Sequence, residues 1–117
     1  MRQNNRSIGT LYEQKAGEYL ESKGYQILEY NYRCRTGEID LIARDGEYLV
    51  FCEVKFRRDS SKVSPLEAVD ERKQRKLYQC ALYYMTVHQC TELPARFDVI
   101  GITGEELIHI EDAFRGN

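Results

Sequence analysis

Two acidic residues and a lysine lie within segments that the apolar pattern otherwise predicts to be buried β-strands. Asp40 belongs to the segment Gly-Glu-Ile-Asp-Leu-Ile at 37–42, and Glu53 and Lys55 belong to Leu-Val-Phe-Cys-Glu-Val-Lys-Phe at 49–56. A charge inside a buried strand is costly unless it is paired or bound to a metal. Carboxylates are ligands that Mg²⁺ prefers, and the ion can activate water for attack on a phosphodiester. The three residues therefore predict a metal-dependent phosphodiesterase site.

A β-hairpin joins the two segments and determines which of these side chains meet. The pair Asp45-Gly46 predicts a two-residue turn. Asp40 then lies opposite Phe51, and the Cα atoms of Asp40 and Glu53 lie roughly 7–8 Å apart, close enough for both carboxylates to reach one ion. Because side chains alternate between faces, a one-residue shift of the turn would separate them. The same register pairs Glu38 with Glu53 and places four residues on one side of the sheet: Glu38, Asp40, Glu53 and Lys55.

A buried ion-pair cluster is the structural alternative to a metal site. In that interpretation Lys55 and neighbouring arginines would neutralise Glu53 without any catalytic role. One lysine cannot balance three carboxylates, however, so excess negative charge would stay unpaired in a buried setting. Clusters of perturbed ionisable groups concentrate at functional sites, although ion-pair networks also occur. The pattern therefore favours the metal site.

Two residues on the predicted helices are further candidates. Glu13 borders the apolar stripe of the first helix, so it could reach the sheet as an additional ligand, and an ordinary helix-surface glutamate is equally consistent with the periodicity. Lys73 falls in the series Val69, Lys73, Leu77 on the core-facing stripe of the second helix. A lysine at the stripe's edge can extend its ammonium group to water. The spacing alone favours that interpretation over a phosphate contact.

The elements that must position these residues follow from periodicity and turn signals. We predict one α/β domain spanning residues 1–117, with helices packed on a sheet in the order αβββαββ. Pro65 suits the first turn of the second helix. The predicted helices cover 7–23 and 65–88, and the predicted strands cover 25–33, 38–43, 48–56, 96–103 and 107–110. On the fourth strand Arg96 and Asp98 share a face, which predicts an ion pair that orders the sheet.

Composition limits the class of protein. No apolar run approaches the roughly 20 residues of a membrane helix, and residues 1–5 lack the core of a signal peptide, so we expect a cytoplasmic protein with no membrane partner. The four cysteines show no C-x-x-C spacing and the two histidines are far apart in the sequence, which disfavours a zinc site. Reduced thiols that fill space are favoured over a disulfide.

The charge is distributed unevenly along the chain. A net charge of −2 and a pI of 5.7 argue against a protein that coats nucleic acid non-specifically. Residues 55–76 nevertheless carry eight positive and four negative side chains beside the hairpin. This basic patch could attract a phosphate backbone, and a solvated loop and helix surface explains it equally well on charge alone.

The motifs resemble those of a known nuclease superfamily. Asp40 followed by Glu53-Val54-Lys55 is similar to the PD-(D/E)xK signature. Over residues 9 to about 102 the chain more closely resembles the YraN-like uncharacterised bacterial family, a distant relative of archaeal Holliday junction resolvases. The segments that carry this resemblance are Gly9-x-x-x-Glu13, 37–42, Phe-Cys-Glu-Val-Lys-Phe-Arg at 51–57, and Arg-Phe-Asp-Val at 96–99.

The resemblance implies a fold and a set of roles. The fold would be a restriction-endonuclease-like core with a mixed central sheet flanked by helices. Asp40 and Glu53 would be ligands of Mg²⁺ or Mn²⁺, Lys55 the catalytic lysine, and Glu13 and Lys73 further catalytic residues on the two helices. The proline that names the signature is absent, since Glu38-Ile39 precedes Asp40, and the superfamily tolerates that departure.

The leading hypothesis is a metal-dependent DNA endonuclease, with selectivity for branched DNA such as Holliday junctions. The resemblance also implies a homodimer, because resolvases cut two strands symmetrically. One alternative is a non-catalytic nucleic-acid-binding protein that retains the nuclease fold. Another is a hydrolase that acts on a different phosphodiester or on a nucleotide.

Overall fold

The chain folds into two helices and five strands in the predicted order αβββαββ. A computed structural model describes residues 5–57, 69–104 and 106–115, with side chains from residue 9 onward. The elements are α1 (Asn5–Ser22), β1 (Gln26–Cys34), β2 (Gly37–Asp45), β3 (Tyr48–Arg57), α2 (Glu71–Val87), β4 (Ala95–Thr103) and β5 (Glu106–Phe114). Within these described ranges, no helix combines the length and apolar character needed to cross a membrane.

The five strands form one mixed sheet in the order β1-β2-β3-β4-β5. β3 and β4 run parallel, and the other neighbouring pairs are antiparallel. A parallel pair needs a long crossover, which here contains α2. The arrangement confirms the predicted mixed sheet flanked by helices and is consistent with a restriction-endonuclease-like core.

Each helix covers one face of the sheet, and we name the faces after them. On the α1 face, Ala16 and Leu20 pack with Leu41, Ala43, Val50, Cys52, Ile100 and Ile102. On the α2 face, Leu77, Cys80, Ala81 and Tyr84 pack with Ile39, Ile42, Leu49, Phe51, Phe97 and Val99. Because residues 49–53 of β3 are buried on both faces of the sheet, a charge in this part of the strand is enclosed largely by apolar side chains.

The predicted hairpin register is wrong by two residues. Asp45 pairs with Tyr48, so the turn consists of Gly46 and Glu47, and Phe51 lies opposite Ile42 instead of Asp40. Gly46 has φ = 61° at the first turn position, where type II′ turns favour glycine. A shift of two residues preserves the face of each side chain on β3, so the turn error does not move Glu53 to the opposite face.

Helix α2 begins later than predicted. Asp70 is extended (φ −74°, ψ 177°), and its carboxylate accepts a hydrogen bond from the Lys73 N–H at 2.9 Å. This is an N-cap, and it starts the helix at Glu71. The predicted continuous helix from Pro65 is therefore wrong, while Pro65 itself lies outside the described residues.

Strand β5 extends beyond the predicted end at 110, and its continuation depends on a buried carboxylate. Asp112 adopts φ = 51° where the pairing of β4 with β5 shifts register. Its N–H donates to Asp98 Oδ1 at 3.0 Å, which holds the irregular strand in place. The sequence predicted a strand that ends at 110, because a bulge cannot be distinguished from a loop without its long-range partner.

The predicted ion pair between Arg96 and Asp98 is confirmed, with Arg96 Nε 3.1 Å from Asp98 Oδ1. Asp98 Oδ2 lies 2.7 Å from His109 Nε2, and His109 Nδ1 lies 3.2 Å from the Tyr19 hydroxyl. Burial alone would raise the pKa of Asp98, but the hydrogen bonds from His109, Arg96 and the Asp112 N–H hold it below its usual value. These hydrogen bonds connect Tyr19 of α1 and His109 of β5 to Asp98 of β4.

Gly17 allows α1 to approach β1 closely. A Cβ built on Gly17 would overlap the Tyr30 hydroxyl, whereas a Cβ on Gly9 of the same helix would meet no atom within 4 Å. We expect Gly17→Ala to lower the free energy of unfolding by about 1–3 kcal/mol, because buried overpacking is costly. Gly9→Ala should leave stability unchanged or raise it by up to about 1 kcal/mol. Urea unfolding of both variants tests this, and equal effects would contradict the close approach.

Candidate active site

Glu53 is a buried acid in the middle of the central strand. Glu53 is only 3% exposed to solvent. A glutamate is almost never buried to this extent unless its charge is paired. Glu53 follows Phe51 by two positions, so its side chain lies on the α2 face. Lys55 Nζ lies 3.1 Å from Glu53 Oε2, and Lys73 Nζ lies 3.2 Å from the same oxygen. Two lysines from two elements therefore converge on one buried carboxylate.

Lys73 reaches this carboxylate from the first turn of α2. The sequence spacing alone favoured an ammonium group directed to water, and the structure instead directs it to Glu53. Burial by itself would lower the pKa of Lys73, but the negative charge and hydrogen bond of Glu53, with the charge of Asp40, raise it overall. Lys73 is therefore held as a cation at the site.

Asp40 lies beside Glu53 but belongs to β2. Its Oδ2 accepts a hydrogen bond from the Val54 N–H of β3 at 2.8 Å. Burial and, next to it, the negative charge of the neighbouring Glu53 carboxylate raise the pKa of Asp40 to about 8, with a smaller contribution from Glu13. Within the described part of the chain Asp40 forms no ion pair, whereas Glu53 forms two, although the charge of Asp40 contributes to the raised pKa of Lys73. The structure brings Asp40, Glu53 and Lys55 together, as predicted.

The face alternation that the hairpin argument assumed fails at Asp40. Ile39 packs on the α2 face and Leu41 on the α1 face, although residues two apart in a regular strand share a face. The expectation that Glu38 and Asp40 point to the same side by simple alternation is therefore wrong. Glu38 is exposed and lies 3.8 Å from Arg33, at the edge of the site. Asp40 reaches the site through a local irregularity of β2.

β1 carries a matching irregularity at Asn31. Tyr30 approaches Gly17 on the α1 face. Tyr32 packs edge-on to Tyr84 on the α2 face, with their ring centroids 5.0 Å apart. Asn31, between the two tyrosines, has φ = 53°, a conformation that few residues other than glycine adopt. Pairing is in register on either side of this position. Both neighbouring strands thus reverse their faces at the same level of the sheet.

Asn31 connects this irregularity to Glu13. The Asn31 amide Nδ2 donates to Glu13 Oε1 at 2.6 Å, and the Glu13 side chain is half-buried. Burial raises the pKa of Glu13, partly opposed by hydrogen bonds with Asp40 and Asn31. Glu13 therefore reaches the sheet and is not a helix-surface glutamate. Sequence reasoning missed Asn31, and a lone asparagine inside a tyrosine-rich strand was the available signal, since asparagine tolerates left-handed backbone.

The surroundings of the site are open and positively charged on one side. Exposed Arg72, Arg75 and Lys76 lie on α2, which also carries Lys73. Of the predicted basic patch, Arg58 and Lys62 lie outside the described residues. A cavity of about 720 Å³ lies elsewhere on the α2 face, and no site residue lines it. The Lys55 and Lys73 side chains are 29% and 39% exposed, so part of each lysine beside Glu53 faces solvent.

The donor set fits a hard divalent cation in type and charge. Glu13, Asp40 and Glu53 supply carboxylate oxygens, which Mg²⁺ and Mn²⁺ favour. The raised pKa of Asp40 means that its charge is not balanced by the two lysines, and a cation would balance it. Among the described residues, no three His, Cys, Asp or Glu side chains are already converged as a ligand set. Binding would therefore require the carboxylates to reorient.

Comparison with known proteins identifies relatives along most of the chain. Residues 12–102 match the model of the uncharacterised protein family UPF0102. A UPF0102 protein of Lachnoclostridium phytofermentans is 46% identical over 112 residues, covering 95% of each chain. One from Syntrophus aciditrophicus is 47% identical over 118 positions, covering 97% of this chain and 92% of the relative. One from Thermotoga petrophila is 46% identical over 104 residues, covering 89% and 94%. These matches confirm the resemblance to the YraN-like family, and the names assign no activity.

Replacing Asp40 tests the charge imbalance. The pKa of Asp40 is about 8 in the folded chain against an ordinary 3.8, so the folded state binds more protons between about pH 4 and 8. Stability of the metal-free protein should therefore fall as pH rises through this window. Asparagine does not ionise, so Asp40→Asn should not lose stability over this range. The free energy of unfolding of the variant minus that of wild type should therefore increase by about 1–3 kcal/mol from pH 4 to pH 8.

Asp98→Asn is the matched control, because Asp98 is also buried but its pKa is lowered. Its contribution to stability is present above its ordinary pKa and is lost as pH falls, so this variant should be destabilised at neutral pH. Denaturant unfolding across the pH range measures both differences. Growing destabilisation of Asp40→Asn toward pH 8 would contradict the imbalance.

Replacing Asn31 separates its backbone role from its side-chain role. Asn31→Ala should lower the free energy of unfolding by about 1–2 kcal/mol, because alanine resists φ = 53° and the bond to Glu13 is lost. Asn31→Gly loses the same bond but accepts the backbone, so it should be the more stable variant. Chemical denaturation compares them. An alanine variant at least as stable as the glycine variant would mean that the backbone conformation imposes no constraint.

Proposed function

The chain belongs to the uncharacterised protein family UPF0102, and we propose that it is a Mg²⁺- or Mn²⁺-dependent DNA endonuclease. The observation that carries the proposal is the buried Glu53 carboxylate, contacted by Lys55 and Lys73 and adjoined by Asp40 with its raised pKa. A purely structural ion-pair cluster would balance its charges. Among the residues that the structure describes, Glu53 forms ion pairs with two lysines, whereas Asp40 forms none and accepts its hydrogen bond from a backbone N–H.

Each residue has a role in the proposal. Asp40 and Glu53 would hold the metal ion, and Glu13, oriented by Asn31, would supply a further oxygen. A bound Mg²⁺ or Mn²⁺ would act as a Lewis acid toward the phosphodiester and lower the pKa of a coordinated water. Lys55, with 29% of its side chain exposed, can place its ammonium group against phosphate oxygens or the attacking water. Lys73 would neutralise charge from the α2 side.

The surface around these residues supports a polyanionic substrate. Lys76, one turn after Lys73, and Arg72, one turn before Lys76, add exposed positive charge beside Lys73 on α2. Such a group of cations can bind the backbone of DNA without reading its sequence. Selectivity for branched DNA and a homodimer with two such sites are finer parts of the proposal, because cleavage of two symmetric strands needs two catalytic centres.

A non-catalytic nucleic-acid-binding protein is the second candidate. It is favoured by the two ion pairs of Glu53, which balance the charge of that carboxylate with protein side chains. In that case the basic side of α2 would bind nucleic acid, and the buried acids would serve only the fold. The two candidates differ in whether DNA is cut and in whether Asp40 matters.

The decisive experiment is a cleavage assay on junction, flap, single-stranded and duplex DNAs with Mg²⁺, Mn²⁺ or a chelator. We expect metal-dependent nicking, reduced at least about 100-fold by Lys55→Ala and by Asp40→Asn. Asp40→Asn is informative because it should fold at least as stably as wild type, so a loss of activity would not reflect unfolding. Glu13→Gln should also lose activity, while Glu18→Gln, an exposed change on the same helix, should retain it.

Three other outcomes would count against the proposal. Equal cleavage by wild type and Lys55→Ala would indicate a contaminating nuclease. Salt-sensitive DNA binding without cleavage in either metal, unchanged by Asp40→Asn, would favour the binding protein. Hydrolysis of a small phosphodiester such as bis(p-nitrophenyl) phosphate, with no activity on any polynucleotide, would select a hydrolase of another class. Sedimentation or gel filtration separately tests the homodimer.

A further inference from the structure

Two cysteines that the proposed chemistry does not use lie in contact with each other. Cys34 is the last residue of β1, and Cys80 lies in the middle of α2. Their sulfur atoms are 2.6 Å apart, while all four cysteines of the chain are unbonded. Cys80 is fully buried, whereas Cys34 is half-buried at the edge of the same core. The fold thus pairs one accessible thiol with one enclosed thiol.

We propose that Cys34 and Cys80 are a redox modification site, which forms an intramolecular disulfide when the protein reacts with a hydroperoxide. The two residues are 46 positions apart in the sequence, so only the fold brings them together. The proposal rests on their contact and on their different exposure. It does not depend on the nuclease proposal.

The surroundings of Cys34 suit it for the first step. The Thr36 hydroxyl lies 3.1 Å from the Cys34 sulfur, in the turn between β1 and β2. Burial would raise the pKa of Cys34, but hydrogen bonds from Cys80, Thr36 and the N–H of Gly37 lower it overall. Burial raises the pKa of Cys80 to about 12. The thiolate is the nucleophile in thiol oxidation, so Cys34 attacks and Cys80 resolves.

The reaction balances with hydrogen peroxide as the oxidant. The Cys34 thiolate attacks one peroxide oxygen, the O–O bond breaks, and the products are a Cys34 sulfenic acid and water after protonation. The Cys80 sulfur then attacks the Cys34 sulfur, the S–O bond breaks, and a second water leaves with the Cys80 proton. Two thiols and one peroxide therefore give one disulfide and two waters, and a dithiol reductant reverses the change.

The bond would join the two parts of the fold that flank the candidate active site. β1 carries Asn31 and leads into β2 with Asp40, while α2 carries Lys73. A cross-link between elements already in contact removes freedom from the unfolded chain. We therefore expect the oxidised protein to melt higher than the reduced protein, by on the order of 10 °C.

The test treats the full-length reduced protein with a few equivalents of hydrogen peroxide. Free thiols counted after denaturation should fall from four to two, and dithiothreitol should restore four. Digestion after glutamate under non-reducing conditions should give a linked pair of peptides, 30–38 and 72–92. Because 72–92 contains both Cys80 and Cys90, the digestion is repeated with Cys90→Ser, which should still form the link. Cys34→Ser and Cys80→Ser should form no link and show no rise in melting temperature.

Several results would overturn the proposal. A thiol count that stays at four after peroxide would show that the pair is not reactive. A bond to Cys52 or Cys90, or a cross-link between two chains, would show that another thiol is the reactive one. A link between Cys34 and Cys80 that lowers the melting temperature would mean that the native packing must distort to form it. Cys90→Ser controls for a change at a second half-buried cysteine.

Discussion

The enclosure of the Glu53 carboxylate within the central strand is the constraint around which the candidate site is organised. A buried carboxylate without a partner would be neutralised or would destabilise the strand. Lys55 comes from the same strand and Lys73 from α2, so the charge of Glu53 is balanced only when α2 docks in its observed position. The N-cap at Asp70 starts that helix one turn before Lys73 and so helps to position it. Packing of α2 and the electrostatics of the site are therefore coupled.

Two aspartates in this sheet, the buried Asp98 and the half-buried Asp40, differ in their chemistry because their surroundings differ. The Asp98 carboxylate accepts hydrogen bonds from Arg96, His109 and a backbone N–H. These bonds lower the pKa of Asp98, so it stabilises the fold as an anion. The Asp40 carboxylate accepts a hydrogen bond from one backbone N–H. Its pKa is nevertheless raised, because of burial and the negative charges of Glu53 and Glu13. The same residue type is thus stabilised as an anion at one position, while its charged form is disfavoured at the other. Perturbed ionisable groups of the second kind concentrate at functional sites, although ion-pair networks also produce them.

The paired irregularity of β1 and β2 brings the helix residue into the same site. At Asn31 and Asp40, which lie at the same level of the sheet, side chains stop alternating regularly between the two faces. One amide and one carboxylate therefore lie where apolar side chains would otherwise pack. From this position the Asn31 amide donates a hydrogen bond to Glu13 of α1, and the Asp40 carboxylate lies beside Glu53 of β3. Residues from α1, β1, β2, β3 and α2 therefore meet at one place. Left-handed backbone at a non-glycine residue is tolerated where such contacts compensate for it.

Local periodicity and turn residues were enough to predict the order of elements, the mixed α/β class and the acids and lysine on the hairpin, because these features are encoded over short stretches of chain. The sequence also identified the Arg96–Asp98 pair, since two charges on one strand face need only local geometry. The hairpin register, the start of α2, the length of β5 and the role of Asn31 were decided by tertiary structure. Two of these features depend on partners distant in the sequence, because Asp112 is bonded to Asp98 and Asn31 to Glu13. The other two were choices between competing local signals: the position of Gly46 in the turn, and Asp70 or Pro65 as the start of the helix. Lys73 is the clearest case, because its spacing is the same whether it points to water or to Glu53, and only the docking of α2 on the sheet decides between them.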